Sequence, residues 1–126
     1  MSPALVIPRP HGVRAGAKGS FSASFWRVQA GWHSVRFRLT TSRLTGSVFT
    51  AHIHTGAPGK TGPVLLTLCE QWPCAWGGSG VRIVPSATVE SWVETMMLLG
   101  AYVDVHTKRN PRGELRGQVE IRRYGS

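Results

Sequence analysis

Polar and apolar residues alternate along much of the chain, which is the pattern of β-strands with one face in a core. In an extended chain, successive side chains point to opposite faces, so every second residue shares a side. Such segments cover residues 20–28, 33–39, 48–54, 64–68 and 81–84, and a terminal hairpin covers 101–107 and 114–122. Residues 88–99 instead place apolar side chains three and four apart, as a helix does, and Gly100 can end that helix. The pattern predicts an antiparallel β domain with one short helix.

Length and composition fit a single domain. The chain has 126 residues, enough to bury a core without a metal, and its 15 glycines and 8 prolines suit short strands joined by turns. Residues 1–19 show no sustained periodicity and are expected to form a flexible leader. The domain is expected to span residues 20–123, with 124–126 as a tail.

Three of the strand segments carry polar side chains on one face. His52 and His54 occupy alternate positions in one segment, and Asp104 and His106 do so in another. The third segment presents three more polar side chains at alternate positions, namely Glu114, Arg116 and Gln118. The polar face is therefore rich in imidazole and charge.

The register of the terminal hairpin bears on this polar face. A one-residue slip would turn the apolar residues of one strand onto the polar side, so only even sums of paired residue numbers are allowed. His106 is then expected opposite Glu114 or Arg116. A neighbouring Glu114 would orient a ligating imidazole or fix its tautomer, whereas a neighbouring Arg116 would oppose a bound cation.

The formal net charge is +9, which predicts attraction to polyanions such as nucleic acid, acidic glycans or anionic lipid surfaces. Arg36 and Arg38 alternate within a strand segment, however, which is also what a solvated sheet face shows. No nucleic-acid-binding motif occurs, and Gly59-Lys60-Thr61 lacks the spacing of a phosphate-binding loop. The expected partner is an unknown protein or a polyanion.

Cys69 and Cys74 are the two cysteines, and they lack further soft ligands nearby that a paired-cysteine metal site would need. A local disulfide between them is the preferred interpretation, and it would imply an oxidising compartment. The apolar stretch near the amino terminus is shorter than the 7 to 15 residues or so of a secretory signal, and no stretch has the length of a transmembrane helix.

Two blocks of the sequence resemble the signature of the chordin-type (CHRD) domain. The first is AHIHTG at residues 51–56, followed by GPV at 62–64; the second is GAYVDVHT at 100–107, followed by NP at 110–111 and GELRGQ at 113–118. The resemblance covers residues 19–122 and implies an all-β domain, an antiparallel β-sandwich or barrel. It also implies a secreted or periplasmic location, because such domains occur in exported bacterial and extracellular animal proteins. The family usually has Asn where this chain has Asp104, so this chain carries an additional carboxylate.

Two interpretations of the polar face are open. In the first, the domain is a noncatalytic binding or structural module, and the polar side chains satisfy one another and nearby loop backbone. In the alternative, His52, His54 and His106 bind copper or zinc with Asp104 as a fourth ligand, because two imidazoles at alternate strand positions can converge on one ion. Polyanion binding through the basic surface is a third function. No nucleophile elbow or catalytic triad pattern occurs, so an enzyme is not expected.

Overall fold

The computed structural model of the chain describes residues 1–69 and 80–120. Within them lie a short 3₁₀ turn, seven strands and one α-helix. In chain order these are the 3₁₀ turn Pro3–Leu5, β1 (Lys18–Gln29), β2 (Trp32–Ser42), β3 (Val48–Thr55), β4 (Val64–Cys69), β5 (Gly80–Pro85), α1 (Ser86–Leu99), β6 (Ala101–Thr107) and β7 (Leu115–Gln118). The strands pair antiparallel throughout these residues.

The strands form two sheets that share one core. The first has the order β1-β2-β5, and the second has the order β4-β3-β6-β7. Phe37 and Leu39 of the first sheet pack in the same cluster as Ile53, Val103 and Leu115 of the second. Burial of apolar side chains between two sheets defines a β-sandwich, so the all-β prediction is confirmed.

Strand β2 shows why the alternation predicts this fold. Val35, Phe37 and Leu39 are buried, whereas Arg36 and Arg38 between them are exposed. Each inward residue removes its apolar surface from water, which contributes roughly 1.5 to 3 kcal/mol for a fully buried large side chain. A shift of one residue would reverse the two faces and is therefore strongly disfavoured.

The helix α1 connects β5 to β6 and begins two residues earlier than the periodicity predicts. Val89 and Met96 are buried, and Gly100 follows the helix with a φ of 78° while its backbone N–H donates to the Met96 carbonyl. Glycine adopts this positive φ without the steric cost of a Cβ. In the described part of the chain no helix is long and apolar enough to span a bilayer.

The amino-terminal segment contacts the second sheet. Ser2 forms an isolated antiparallel bridge with Arg116, with N–O distances of 2.9 and 3.1 Å. Val6 and Ala17 are buried as well. The residues expected to form a flexible leader therefore pack against the domain, and β1 begins at Lys18 rather than at residue 20.

The register of β6 and β7 agrees with the even sum expected from the polar face. Asp104 pairs with Arg116, Val105 with Leu115, and the Glu114 N–H donates to the Val105 carbonyl at 2.7 Å. Val103, Val105 and Leu115 therefore face the core, whereas Asp104 and Arg116 face away from it.

Candidate metal centre

Strands β3 and β6 are neighbours, and this pairing brings the predicted imidazoles together. His52 pairs directly with Asp104, His54 pairs with Tyr102, and His106 lies two residues beyond Asp104 on the same strand. Side chains at diagonal positions of an antiparallel pair lie within reach of one another. One ligand atom from each of His52, His54, Asp104 and His106 can be chosen so that all four lie within 4.8 Å of one another. We call these four residues the His/Asp cluster.

The carboxylate of Asp104 contacts all three rings. Its Oδ2 lies 2.9 Å from His54 Nε2, and its Oδ1 lies 3.0 Å from His106 Nε2 and 3.5 Å from His52 Nδ1. The ring centroid of His52 lies 5.5 Å from that of His54 and 5.2 Å from that of His106. One carboxylate therefore has three imidazole nitrogens around it.

The cluster lies on the outer face of the four-stranded sheet, under two loops. Gly62, in the glycine- and proline-rich loop after β3, accepts a hydrogen bond from His54 Nδ1 at 2.9 Å. Pro111, in the loop after β6, accepts one from His106 Nδ1 at 2.8 Å. The two loops lie over this polar face, and only 8% of the Asp104 surface is exposed to solvent.

These two carbonyl contacts fix the tautomers of His54 and His106. A carbonyl oxygen only accepts, so each Nδ1 must carry the proton, and a neutral ring then has an unprotonated Nε2. Both of these Nε2 lone pairs face oxygens of the Asp104 carboxylate at 2.9 and 3.0 Å. Two acceptors at that distance repel unless a cation lies between them, either a second ring proton or a metal ion.

The contacts in the cluster are short but are not directed as hydrogen bonds. His52 Nδ1, His54 Nε2, His106 Nε2 and Asp104 Oδ1 are buried and make no hydrogen bond of normal geometry. A buried polar atom without a partner costs about 1 to 3 kcal/mol. Four such atoms facing one another are the arrangement that a shared cation would satisfy.

The electrostatics of the cluster depend on Asp104. Burial favours the neutral rings of His54 and His106, but the Asp104 carboxylate and the loop carbonyls outweigh it and raise the pKa of both. For His52 burial dominates, assisted by the neighbouring imidazoles, so its pKa is lowered. Burial alone would raise the pKa of Asp104, but His106 and His54 hold it well below its usual range. Asp104 is therefore ionised at neutral pH, and positive charge is favoured beside it.

The donor set suits a borderline transition metal. Three imidazole nitrogens and one carboxylate oxygen are ligands that Zn²⁺ and Cu²⁺ accept, whereas Ca²⁺ and Mg²⁺ prefer oxygen ligands alone. Tetrahedral Zn²⁺ with bonds of about 2.0 to 2.1 Å needs ligand atoms roughly 3.3 Å apart. The Asp104 contacts of 2.9 to 3.5 Å are close to that spacing, and the four ligand atoms all lie within 4.8 Å of one another, so small movements of the rings would complete such a site.

A layer of side chains behind the cluster holds His54 in place. The Tyr102 ring stacks parallel to the His54 ring, with centroids 4.8 Å apart, and the Arg116 guanidinium lies 3.6 Å from the Tyr102 ring centroid. The Tyr102 hydroxyl accepts from the Gly62 N–H at 3.1 Å, and Arg116 Nη2 donates to the Ala57 carbonyl at 3.2 Å. Arg116 thus directs its charge to Tyr102 and the loop although its backbone pairs with Asp104.

A family model described as the CHRD domain matches residues 1–119, which is most of the chain. The chain belongs to the CHRD domain family. This is a family of noncatalytic modules, and CHRD domains are generally extracellular. The searches of curated proteins and of solved structures found no match.

Glu114 of this CHRD domain does not orient His106, contrary to one of our expectations. Its carboxylate is fully buried and accepts from the Thr45 N–H at 2.8 Å, from the Thr45 hydroxyl, from the Thr107 hydroxyl at 2.8 Å and from Asn110 Nδ2 at 3.0 Å. Burial raises the Glu114 pKa, but these donors outweigh it and the pKa is lowered. The carbonyl of Pro111 takes the orienting role instead.

The single polar network expected for this face is divided in the structure. Gln118 Nε2 donates to the Gly56 carbonyl at 3.2 Å and Gln118 Oε1 accepts from Arg116 at 3.4 Å, so these two side chains hold the loop after β3. Glu114 belongs to the separate group with Thr45, Thr107 and Asn110. The sequence offered no direct signal for Gly62 and Pro111, because they act through backbone carbonyls.

The predicted disulfide between Cys69 and Cys74 stays a prediction, because Cys74 lies outside the described residues.

Proposed function

We propose that this CHRD domain is an extracellular binding module that holds one zinc or copper ion through His52, His54, His106 and Asp104. The observation that carries the proposal is the pair of Nε2 atoms on His54 and His106. Both rings donate from Nδ1 to backbone carbonyls, and both Nε2 atoms face a buried carboxylate. Backbone carbonyls that orient ligating histidines in this way are typical of metal sites.

The role of such an ion would be to tie elements of the sandwich together. His52 and His54 come from β3, Asp104 and His106 come from β6, and the loops on either side bond to the rings. A shared ion would therefore stabilise the paired strands and the two covering loops at once. The four residues supply the ligands, and Asp104 supplies the negative charge that partly neutralises a divalent ion.

A structural cluster without metal is the second interpretation, and the raised pKa of His54 and His106 favours it. With a second proton on either ring, the imidazolium and the Asp104 carboxylate would form an ion pair under the loops. The domain would then be a structural module that uses the cluster to fix strand pairing and loop position.

Metal titration separates these interpretations. The chain is purified without a histidine tag, its metal content is measured, and Zn(II) and Cu(II) are titrated by calorimetry into the wild type and His52→Ala/His54→Ala. One ion per chain at submicromolar affinity, lost in the variant, is expected. His11→Ala is the matched control, since it removes an exposed imidazole distant in sequence from the two signature blocks. Binding weaker than micromolar, or equal in wild type and the double variant, would eliminate the metal site and leave the structural cluster.

A further inference from the structure

The outer face of the three-stranded sheet combines exposed apolar side chains with basic ones. The β1–β2–β5 register aligns Trp26 with Ser34 and Ile83, and Arg36 with Val81, on the side away from the core. Alternation along β1 and β2 adds four outward residues to this face, namely Trp32, Arg38, Thr40 and Lys18. We call the surface formed by Lys18, Trp26, Trp32, Arg36, Arg38, Val81 and Ile83 the Trp/Arg face.

The apolar members of the Trp/Arg face are unusually exposed for their size. Trp26 and Trp32 are each 40% exposed, Val81 is 57% exposed and Ile83 is 58% exposed. The register places Trp26 and Ile83 on either side of Ser34, which is itself buried. Grouped apolar side chains on an otherwise polar surface mark interaction sites, whereas single ones do not.

The charge of the same face has one sign. Lys18, Arg36 and Arg38 are exposed, and none of the six acidic residues of the chain occurs in β1, β2 or β5. The Arg36 guanidinium lies 5.2 Å from the Trp26 ring centroid, so charge and aromatic surface adjoin. Like charges would oppose a second copy of this face, and an anionic surface would be attracted.

From this combination we infer that the Trp/Arg face docks on the surface of a bilayer that carries anionic headgroups. Tryptophan favours the interfacial region of a bilayer, because its ring is apolar and its N–H remains near water. Basic side chains gain from anionic headgroups, and aliphatic side chains gain from entering the headgroup boundary. Val81 and Ile83 would have no such partner on an acidic glycan or a nucleic acid. The surface is on the opposite side of the sandwich from the His/Asp cluster, so the inference is independent of metal binding.

Vesicle co-sedimentation tests the charged part of this surface. The full chain is mixed with vesicles of phosphatidylcholine alone or of equimolar phosphatidylcholine and phosphatidylglycerol. We expect binding to the anionic vesicles alone, weakened about thirty-fold in Arg36→Gln/Arg38→Gln, which corresponds to about 1 kcal/mol for each cationic side chain. The control Lys60→Gln/Arg112→Gln removes the same charge from exposed loops after β3 and β6, and its affinity should stay close to that of the wild type. Equal weakening in both variants would overturn the inference, since net charge alone would then explain the binding.

The apolar part needs its own variant. Trp32→Ala/Ile83→Ser should weaken binding to anionic vesicles at unchanged charge, and brominated lipids should quench the fluorescence of the wild type more than that of this variant. Far-UV circular dichroism checks that the exposed substitutions leave the fold intact. Three outcomes would overturn the inference: no binding to either vesicle, retention on heparin that needs Arg36 and Arg38 without vesicle binding, or a dimer in sedimentation velocity that Trp32→Ala/Ile83→Ser abolishes.

Discussion

Metal binding at the His/Asp cluster has a direct consequence for stability. The four ligands come from β3 and β6, which meet only in the folded sandwich. An ion that binds the folded state alone stabilises it by RT ln(1 + [L]/Kd), which is about 2.7 kcal/mol at a free concentration one hundred times Kd. For a chain of this length that corresponds to a rise of roughly 10 °C in the melting temperature.

Residual metal binding by the unfolded chain would reduce this stabilisation of the folded state. His52 and His54 remain two residues apart on unfolding, as do Asp104 and His106, so each pair retains some metal affinity. Binding to the unfolded state reduces the stabilisation, and the value of about 2.7 kcal/mol is therefore a maximum for that concentration.

Differential scanning calorimetry measures the effect directly. Zn(II) should raise the melting temperature of the wild type and of His11→Ala in a concentration-dependent way, and Mg(II) should not, because it prefers oxygen ligands. The shift should vanish in His52→Ala/His54→Ala. A melting temperature of the wild type that does not change with Zn(II) or Cu(II), or an equal shift in the double variant, would show that these histidines do not form a metal site.

Further predictions concern single side chains and pH. Asp104→Asn should lower Zn(II) affinity more than tenfold by calorimetry, since it removes the only charged ligand; unchanged affinity would exclude Asp104 as a ligand. Tyr102→Leu should lower Zn(II) affinity about tenfold, whereas Tyr102→Phe, which keeps the ring stacked on His54, should lower it less; equal losses would show that stacking is irrelevant. Glu114→Gln should cost about 2 to 4 kcal/mol in urea unfolding, because a buried acceptor of four donors is replaced by an amide; a loss below about 0.5 kcal/mol would contradict this. In metal-free protein, the raised pKa of His54 and His106 contributes stability that is complete below their ordinary pKa of 6.5 and is lost as pH rises through the folded values. The depressed pKa of Asp104 contributes stability that is complete above its ordinary pKa of 3.8 and is lost as pH falls through the folded value. The contribution of the cluster to the free energy of urea unfolding should therefore be largest between pH 3.8 and pH 6.5. This contribution should be absent in Asp104→Asn.

The strand alternation was sufficient to predict most of the fold and the shared faces of the site. A period of two places His52 with His54 and Asp104 with His106, and the even register of the terminal hairpin follows from keeping Leu115 on the core side. Those arguments concern single strands or neighbours along the chain. The pairing of β3 with β6 is not local, because β4, β5 and α1 intervene in sequence.

The parts that sequence did not predict depend on loop backbone and on strand ends. Gly62 and Pro111 orient the imidazoles through carbonyl oxygens, which every residue possesses, so no side-chain pattern reveals them. Glu114 precedes the first residue of β7, and its side chain turns to Thr45 and Asn110 instead of continuing the alternation. Residues 1–19 lack periodicity because their contacts are made by individual residues, such as Ser2 with Arg116, rather than by a regular face.

The most direct test of metal binding at the His/Asp cluster is an anomalous diffraction measurement on crystals of the chain grown with Zn(II), with data collected above and below the zinc absorption edge. We expect one peak per chain, within bonding distance of His52 Nδ1, His54 Nε2, His106 Nε2 and an Asp104 oxygen, with both Nδ1 contacts to Gly62 and Pro111 kept. A zinc peak elsewhere, or an Asp104 carboxylate still paired with the rings and without zinc at concentrations that saturate a micromolar site, would contradict this expectation.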